Sequence, residues 1–215
     1  SLGLSFGVKF SNTLIVRNHR DFFPASEKEM YLSGKPLHVL AMSLVGRFRE
    51  TFGDRYPISF SAGIDKDNCA DAVGLGLTPI TVCSDLLKTG GYTRMHGYFE
   101  QLGSRMDAVG ARTIDEFIVR GRGKGQEARD ALEGVDTETL ARCRAALGEG
   151  GDLRRAAGEE LFARWVSQAK LANTAAYLAE LLDDGRYHRD ANRKTPKKVG
   201  SMLELFDCLT CDKCV

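Results

Sequence analysis

Three cysteines near the end of the chain are the residues whose spacing most directly predicts chemistry. Cys208, Cys211 and Cys214 are each separated by two residues, which matches the first three positions of the iron–sulfur run C-x2-C-x2-C-x3-C-P. Three thiolates on one short loop can each bind one iron of a cubane cluster, whereas a structural zinc site more often uses two separated Cys-x2-Cys pairs. The spacing therefore favours a [4Fe-4S] cluster, with zinc and a metal-free segment as the alternatives.

The sequence supplies only three of the four cysteines that such a cluster needs. Its last residue is Val215, one position after Cys214, so we expect the fourth ligand to follow beyond it. The first residue is Ser1 rather than Met, and it already lies in strand-like sequence. These features predict that the 215 residues are a segment of a longer polypeptide.

Composition and charge exclude several classes of protein. The chain has 30 Lys and Arg against 29 Asp and Glu, a net charge of +1, and 43% hydrophobic residues. This balance is typical of a folded domain with one sizeable core. It gives no basic surface for nucleic acid, and no apolar run reaches the roughly 18 residues of a membrane-spanning helix. No signal peptide precedes the first strand-like residues, which predicts a cytoplasmic location.

The first half of the chain alternates strand-like and helical segments. Strands are predicted at residues 2–10, 57–61 and 78–83, where apolar, β-favouring residues end in turn residues. Apolar residues recur with the helical period over residues 37–52 and 95–106. This alternation indicates an α/β fold with a parallel sheet and right-handed crossovers, either open and doubly wound or part of a (β/α)8 barrel.

Helical patterns dominate the second half. Thr113 and Glu116 have the spacing of a capping box, which predicts that a short helix begins there. Helical periodicity then continues over residues 125–182, and Asp152 is positioned to cap the longest helix of this region. A last helix is predicted over residues 199–206, directly before the cysteine motif.

Four motifs resemble the last third of the barrel of dihydroorotate dehydrogenases. In chain order they are Ser11-Asn12-Thr13, Leu32-Ser33-Gly34-Lys35-Pro36-Leu37, Ser61-Ala62-Gly63-Ile64 and Ile80-Thr81-Val82-Cys83-Ser84-Asp85-Leu86-Leu87. Their order and spacing are similar to those of strand six, the turn into the following helix, and strands seven and eight in that family. The resemblance implies the C-terminal part of a TIM barrel with three parallel β/α units, followed by an all-helical region that ends in an iron–sulfur ligand loop.

The turn at residues 88–92 and the cysteine motif narrow the resemblance to glutamate-synthase-related flavoproteins of the selenate reductase subunit family. Such chains carry an N-terminal barrel and a helical iron–sulfur segment, followed by FAD and NAD(P)H modules similar to the small subunit of glutamate synthase. The implied organisation is a barrel part at residues 1–124, a helical region at 125–198 and the start of a ferredoxin-like motif at 199–215. FAD and NAD(P)H are expected in the rest of the parent chain.

The resemblance also implies an FMN site at the carboxyl ends of the strands. Gly34, Gly63 and Ser84 stand where the family binds the FMN phosphate. Active sites of (β/α)8 barrels lie at this end, and glycine allows backbone N–H groups to approach a phosphate. Lys9 is expected to approach the flavin ring or a substrate anion, and Asn12 to hydrogen-bond a planar ligand. The catalytic base of the family would precede this segment, so the catalytic residues are not identified.

Two residues depart from the family's pattern. Ala62 stands where the family has the first glycine of a Gly-Gly pair. Asp85 places a carboxylate close to the expected phosphate, which it repels unless Lys88 or Arg94 compensates its charge. A flavin site at this position therefore requires that Asp85 be paired or turned away.

Two functional hypotheses follow. The first is a segment of an NAD(P)H-linked flavin and iron–sulfur oxidoreductase, related to the glutamate synthase small subunit and dihydropyrimidine dehydrogenase and active only within its parent chain. The second is a non-catalytic, degenerate barrel that acts as a structural or subunit-docking module beside an electron-transfer cluster. Because three strands cannot close a barrel of eight, self-association or a partner subunit is expected in either case. The sequence does not identify the small-molecule substrate.

Overall fold

Short strands and helices alternate in the computed structural model, which describes residues 3–18, 26, 28–188 and 191. The strands are β1 (Val8–Phe10), β2 (Leu14–Arg17), β3 (Glu29–Leu32) and β4 (Ile58–Phe60). The α-helices are α1 (Lys35–Phe52), α2 (Cys69–Gly74), α3 (Met95–Ala108), α4 (Ile114–Arg120), α5 (Gly125–Asp130), α6 (Thr137–Glu149), α7 (Leu153–Ala157) and α8 (Glu159–Asp183). Two 3-10 turns, Gly91–Arg94 and Gly185–Tyr187, precede α3 and follow α8.

The parallel sheet is shorter than the sequence predicts. β1 and β4 pair in parallel, with Val8 opposite Ile58 and Phe10 opposite Phe60. The predicted third strand is reduced to one parallel bridge, between Phe60 and Ile80. Pro79 contributes to this difference, because proline has no N–H to donate to a ladder. The predicted parallel α/β arrangement is confirmed for this part of the chain, as two strands and a bridge instead of three strands.

An antiparallel pair, β2 with β3, interrupts the β/α order and is absent from the predictions. Its register runs from Leu14 opposite Leu32 to Arg17 opposite Glu29. Met30 is the only buried residue of the two strands. With so little of the pair buried, its sequence carries no strong period-2 pattern of apolar residues.

Helix α1 confirms the prediction for residues 37–52 and covers one face of the parallel strands. Its buried residues join β4 and the end of α8 in a first core cluster, which includes Leu37, Ala41, Met42, Val45, Ile58, Phe60, Leu75, Leu77, Tyr177 and Leu181. A glycine in α1 allows the close approach of α8, since a Cβ at Gly46 would overlap the side chain of Leu178. Arg49 adds a polar contact by donating to the carbonyl of Lys170 at 3.1 Å.

The helical region has a second core cluster, formed by α4 to α8. Its buried members are Ile118, Val119, Ala128, Leu132, Cys143, Leu153, Phe162, Trp165, Val166 and Ala169. The first half of α8 belongs to this cluster, and Tyr177 and Leu181 of its second half belong to the first cluster. One helix is therefore shared by both cores.

Two of the predicted helix caps differ in detail. Thr113 accepts from the backbone of Glu116 at 3.2 Å as predicted, but the Glu116 carboxylate accepts from the backbone of Arg112 instead of Thr113. Asp152 accepts from the backbone of Arg155 at 2.8 Å and so caps the short helix α7. The prediction that it caps the longest helix is wrong, because the chain turns at Gly158 before α8 begins.

No helix in the described part of the chain is long and apolar enough to cross a membrane.

Candidate functional site

A cavity of about 860 Å³ lies at the carboxyl ends of the parallel strands. Its wall consists mainly of the loops that follow β1, β4 and the bridge at Ile80, namely residues 11–13, 61–65 and 81–85. The turn before α1 and Arg186 complete it. The volume falls within the roughly 300–1,000 Å³ of small-molecule sites. The position is the one at which parallel α/β and barrel folds bind ligands.

The five residues predicted to contact a flavin all line this cavity: Lys9, Asn12, Gly34, Gly63 and Ser84. Lys9 lies in β1 and Asn12 directly after it, while Gly34, Gly63 and Ser84 come from three further loops, and the fold brings them together. Within the described residues, the Lys9 ammonium has neither a hydrogen-bond partner nor an ion-pair partner. It is therefore available to an anionic or electron-rich ligand, and which ligand the five residues contact stays a prediction.

Gly63 and Gly34 meet across the cavity wall. The backbone of Gly63 has φ +55°, and a Cβ there would lie 2.7 Å from the carbonyl carbon of Gly34 and 2.9 Å from the amide nitrogen of Lys35. Contacts below about 3 Å to backbone leave no room for any side chain. Packing between two loops thus requires glycine at position 63, whether or not a phosphate binds beside it.

The carboxylate of Asp85 is fully compensated. Lys88 Nζ lies 2.9 Å from Oδ1, Arg94 donates through Nη2 to Oδ1 at 2.9 Å and through Nε to Oδ2 at 3.0 Å, and Tyr98 donates to Oδ2 at 2.7 Å. Asp85 is only 4% exposed. The prediction that Lys88 or Arg94 pairs with this carboxylate is confirmed, and both do so.

This pairing predicts an acid-sensitive contribution to stability. Burial by itself raises the pKa of the Asp85 carboxyl, but the hydrogen bonds from Arg94, Tyr98 and Lys88 outweigh it and lower the pKa to about 2. A carboxyl whose pKa is lower in the folded than in the unfolded chain stabilises the fold at neutral pH and loses that effect as the pH falls from about 4 to about 2. We expect a contribution of about 2 kcal/mol.

Asp85→Asn tests this expectation by urea unfolding at a series of pH values. The variant should lack the part of the acid-induced stability loss that falls between about pH 4 and pH 2. Asp115→Asn is the matched control, because this carboxylate is half-exposed and pairs with the half-exposed Arg154. An Asp85→Asn variant with the wild-type pH profile would contradict the assignment.

A buried histidine, His38, lies behind the cavity wall and is absent from the sequence predictions. His38 is 0% exposed, with Nδ1 2.8 Å from the carbonyl of Ala62 and Nε2 2.8 Å from the hydroxyl of Tyr177. Because a carbonyl only accepts, Nδ1 carries the proton and Nε2 accepts from Tyr177. Burial lowers the pKa of His38, which keeps the imidazole neutral. Its position next to Leu37, on the apolar face of α1, is the sequence signal for this role.

The predicted cluster ligands Cys208, Cys211 and Cys214 lie outside the described residues, as does the predicted helix at 199–206. Among the residues that the structure describes, no group of three or more His, Cys, Asp or Glu side chains is arranged to hold a metal ion. The [4Fe-4S] cluster therefore stays a prediction from the cysteine spacing.

Comparison with known proteins gives the family. Residues 1–130 match the family described as oxidoreductase YgfK, N-terminal TIM-barrel domain. The chain is 37% identical over 112 residues to the protein named "Putative oxidoreductase YgfK" in Escherichia coli K12, and equally to that of E. coli O157:H7. The alignment covers 52% of this chain and 11% of each relative, so the chain spans a small part of their length. No solved structure matches significantly. The chain belongs to the family of the oxidoreductase YgfK N-terminal TIM-barrel domain.

Proposed function

We propose that this chain provides a flavin-binding barrel end and an iron–sulfur ligand loop to an NAD(P)H-linked oxidoreductase. The observation that carries the proposal is the convergence of Lys9, Asn12, Gly34, Gly63 and Ser84 on one cavity at the carboxyl ends of the strands. Membership in an oxidoreductase family supports the reaction class. The whole enzyme is related, on this proposal, to the glutamate synthase small subunit and dihydropyrimidine dehydrogenase, and its substrate is not identified.

The residues on the cavity fit FMN in charge and in space. The Lys9 ammonium has no protein partner among the described residues and can neutralise a phosphate, an anionic flavin or a substrate anion. Asp85 presents no unpaired negative charge, because Lys88 and Arg94 bind it. Ser84 adds a hydroxyl and a loop backbone, and Asn12 adds an amide that can both donate and accept. When bound, FMN supplies reversible one- or two-electron transfer.

The cysteine motif supplies the second redox site of the proposal. Cys208, Cys211 and Cys214 would hold three irons of a [4Fe-4S] cluster, and the fourth ligand would come from beyond Val215. FAD and NAD(P)H would bind elsewhere in the parent protein, so this segment by itself would be inactive. We place the protein in the cytoplasm, where thiols stay reduced.

A second candidate function is a docking module, and one surface favours it. Leu40 and Leu44 of α1 are 46% and 44% exposed and lie four residues apart on one face of the helix, and Phe52, at its end, is 46% exposed. Within the described residues, β1 pairs only with β4, so its other edge has no strand partner. An open strand edge and an exposed apolar helix face each suit a partner subunit or a second copy of the chain.

Flavin and iron contents of variants of the full-length protein distinguish the two functions. Lys9→Met should weaken FMN affinity about tenfold or more, since a charge-assisted contact contributes roughly 1.5–3 kcal/mol. Its iron content should stay at the wild-type level. Lys28→Met is the matched control, because Lys28 is exposed and does not line the cavity. Cys211→Ser should give the converse result, with less iron and unchanged flavin.

Contrary results would be equally clear. Wild-type protein that contains iron but takes up no FMN would support the docking module. Flavin retention by Lys9→Met at the wild-type affinity would place the flavin elsewhere. Iron content that is unchanged in Cys211→Ser would remove the cluster from the cysteine motif.

A further inference from the structure

The cavity wall at residues 62–65 is held by side chains and not by a backbone ladder. Within the described residues, positions 62–64 make no backbone-to-backbone hydrogen bond. The carbonyl of Ala62 accepts from His38 at 2.8 Å, and the carbonyl of Gly63 accepts from Asn68 Nδ2 at 2.9 Å. The amide of Asp65 donates to Asn68 Oδ1 at 2.9 Å. Two fully buried side chains, His38 and Asn68, therefore hold this loop by hydrogen bonds.

Both of these side chains, Asn68 and His38, contact Tyr187, which lies in the turn after α8. The second N–H of the Asn68 amide donates to the Tyr187 hydroxyl at 3.0 Å. The Tyr187 ring stacks on His38, with centroids 4.9 Å apart and an interplanar angle of 10°. Tyr177, in the second half of α8, donates to His38 Nε2 at 2.8 Å. Tyr187 thus contacts both groups that fix the cavity wall.

The turn that carries Tyr187 is itself well anchored and forms part of the wall. The Asp184 carboxylate accepts from the backbone of Arg186 at 2.9 Å and from its guanidinium at 2.7 Å. Arg186 lines the cavity. These residues lie beyond positions 1–130, the range that matches the barrel family. A segment outside the barrel match therefore completes the cavity.

We infer that Tyr187 is a positioning residue of the ligand site, which fixes the 62–65 loop through Asn68 and His38. The inference rests on the proposed function, because it takes the cavity as the flavin site. Removal of the Tyr187 hydroxyl leaves an N–H of the buried Asn68 amide without its partner, and a buried donor without a partner is unfavourable. The loop that Asn68 holds then opens more often, and the ligand must order it on binding.

Tyr187→Phe in the full-length protein tests this with two measurements. Hydrogen–deuterium exchange should become faster for the amide of Asp65, which donates to Asn68 Oδ1, while the exchange of α5 and α6 stays unchanged. FMN affinity should fall about tenfold, the equivalent of one lost buried hydrogen bond. Tyr56→Phe is the matched control. Tyr56 lies before Pro57 at the amino end of β4, away from the cavity, and should change neither measurement.

Each outcome decides the inference. Unchanged exchange of the Asp65 amide overturns it, and so does faster exchange over the whole chain, because a positioning residue loosens only its own loop. If the wild-type protein binds no FMN, the proposed function fails, and the local exchange result alone decides whether Tyr187 fixes the loop. If Tyr187→Phe does not fold, Asp184→Ala carries the test, since it removes the carboxylate that anchors the turn holding Tyr187.

Discussion

Gly63→Ala is expected to lower the free energy of unfolding by roughly 2–5 kcal/mol, through the addition of a single methyl group. A left-handed backbone at a non-glycine residue costs about 1–2 kcal/mol, and forcing extra volume into a packed site costs about 1–3 kcal/mol. Both apply here, because Gly63 has φ +55° and its Cβ would overlap the backbone of Gly34 and Lys35. Neither neighbour is the flexible end of a side chain, so relief requires that one loop move.

Gly150→Ala separates the two contributions. Gly150 has φ +72° and ψ +20°, in the left-handed region, and no heavy atom lies within 4 Å of its ideal Cβ position. Its alanine variant should therefore lose only the conformational part, about 1–2 kcal/mol. Urea unfolding followed by far-UV circular dichroism compares the two variants. Equal losses would contradict the close approach of residues 63 and 34.

The close packing of Gly63 affects how the proposed flavin site can be tested. The resemblance to dihydroorotate dehydrogenases assigns Gly63 to the FMN phosphate, yet the packing against Gly34 already requires glycine there. A Gly63 variant without flavin would therefore show only that the wall has been disturbed. Lys9 is the better probe, because among the described residues it has no protein partner to lose.

Local patterns in the sequence predict the long helices and the order of the elements well. The apolar positions of α1 recur with a clear helical period, and helical periodicity continues over residues 125–182, where α5 to α8 lie. Such patterns do not predict β2 and β3, because the side chains of these strands are mostly half-buried or exposed and carry no strong alternation of apolar residues. They also overestimate the strand at 78–83, where Pro79 limits the ladder.

The residues of the candidate site likewise include some that the sequence predicts and some that it does not. Residues that lie in recognisable motifs, such as Lys9 and Ser84, are identified in advance and do line one cavity. His38 and its partner Tyr177 are 139 positions apart in sequence, and Asn68 and Tyr187 are separated by 119. No local spacing records a hydrogen bond of that range. The polar network behind the wall is therefore visible only in three dimensions.

Trp165→Ala is expected to destabilise the chain by about 4 kcal/mol and to affect both core clusters. Trp165 is 0% exposed, and its Nε1 donates to the carbonyl of Gly125 at 2.8 Å. The substitution leaves a large cavity and an unpaired carbonyl. A loss of this size is a large fraction of the 5–15 kcal/mol that stabilises a typical domain.

The effect should spread beyond the helical region because α8 is shared. Its Asn173 is fully buried and donates to the carbonyls of Gly74 at 2.9 Å and Ile118 at 2.7 Å, which lie in α2 and α4. Farther along α8, Tyr177 and Leu181 pack in the first cluster, beneath the cavity wall. Damage to the first half of α8 should therefore weaken the support of His38 as well.

Hydrogen–deuterium exchange under native conditions distinguishes shared from separate unfolding. In Trp165→Ala, the amides of β4 and those of α5 should lose protection by the same amount, because both depend on α8. Leu182→Ala is the control, since Leu182 is also on α8 but 68% exposed, and it should change stability by about 0.5 kcal/mol or less. If β4 keeps its protection while α5 loses it, the two clusters unfold independently, and the division predicted at residue 124 is an energetic boundary. If both lose protection together, the barrel end and the helical region form one cooperative unit, and the cavity depends on a segment outside the barrel match.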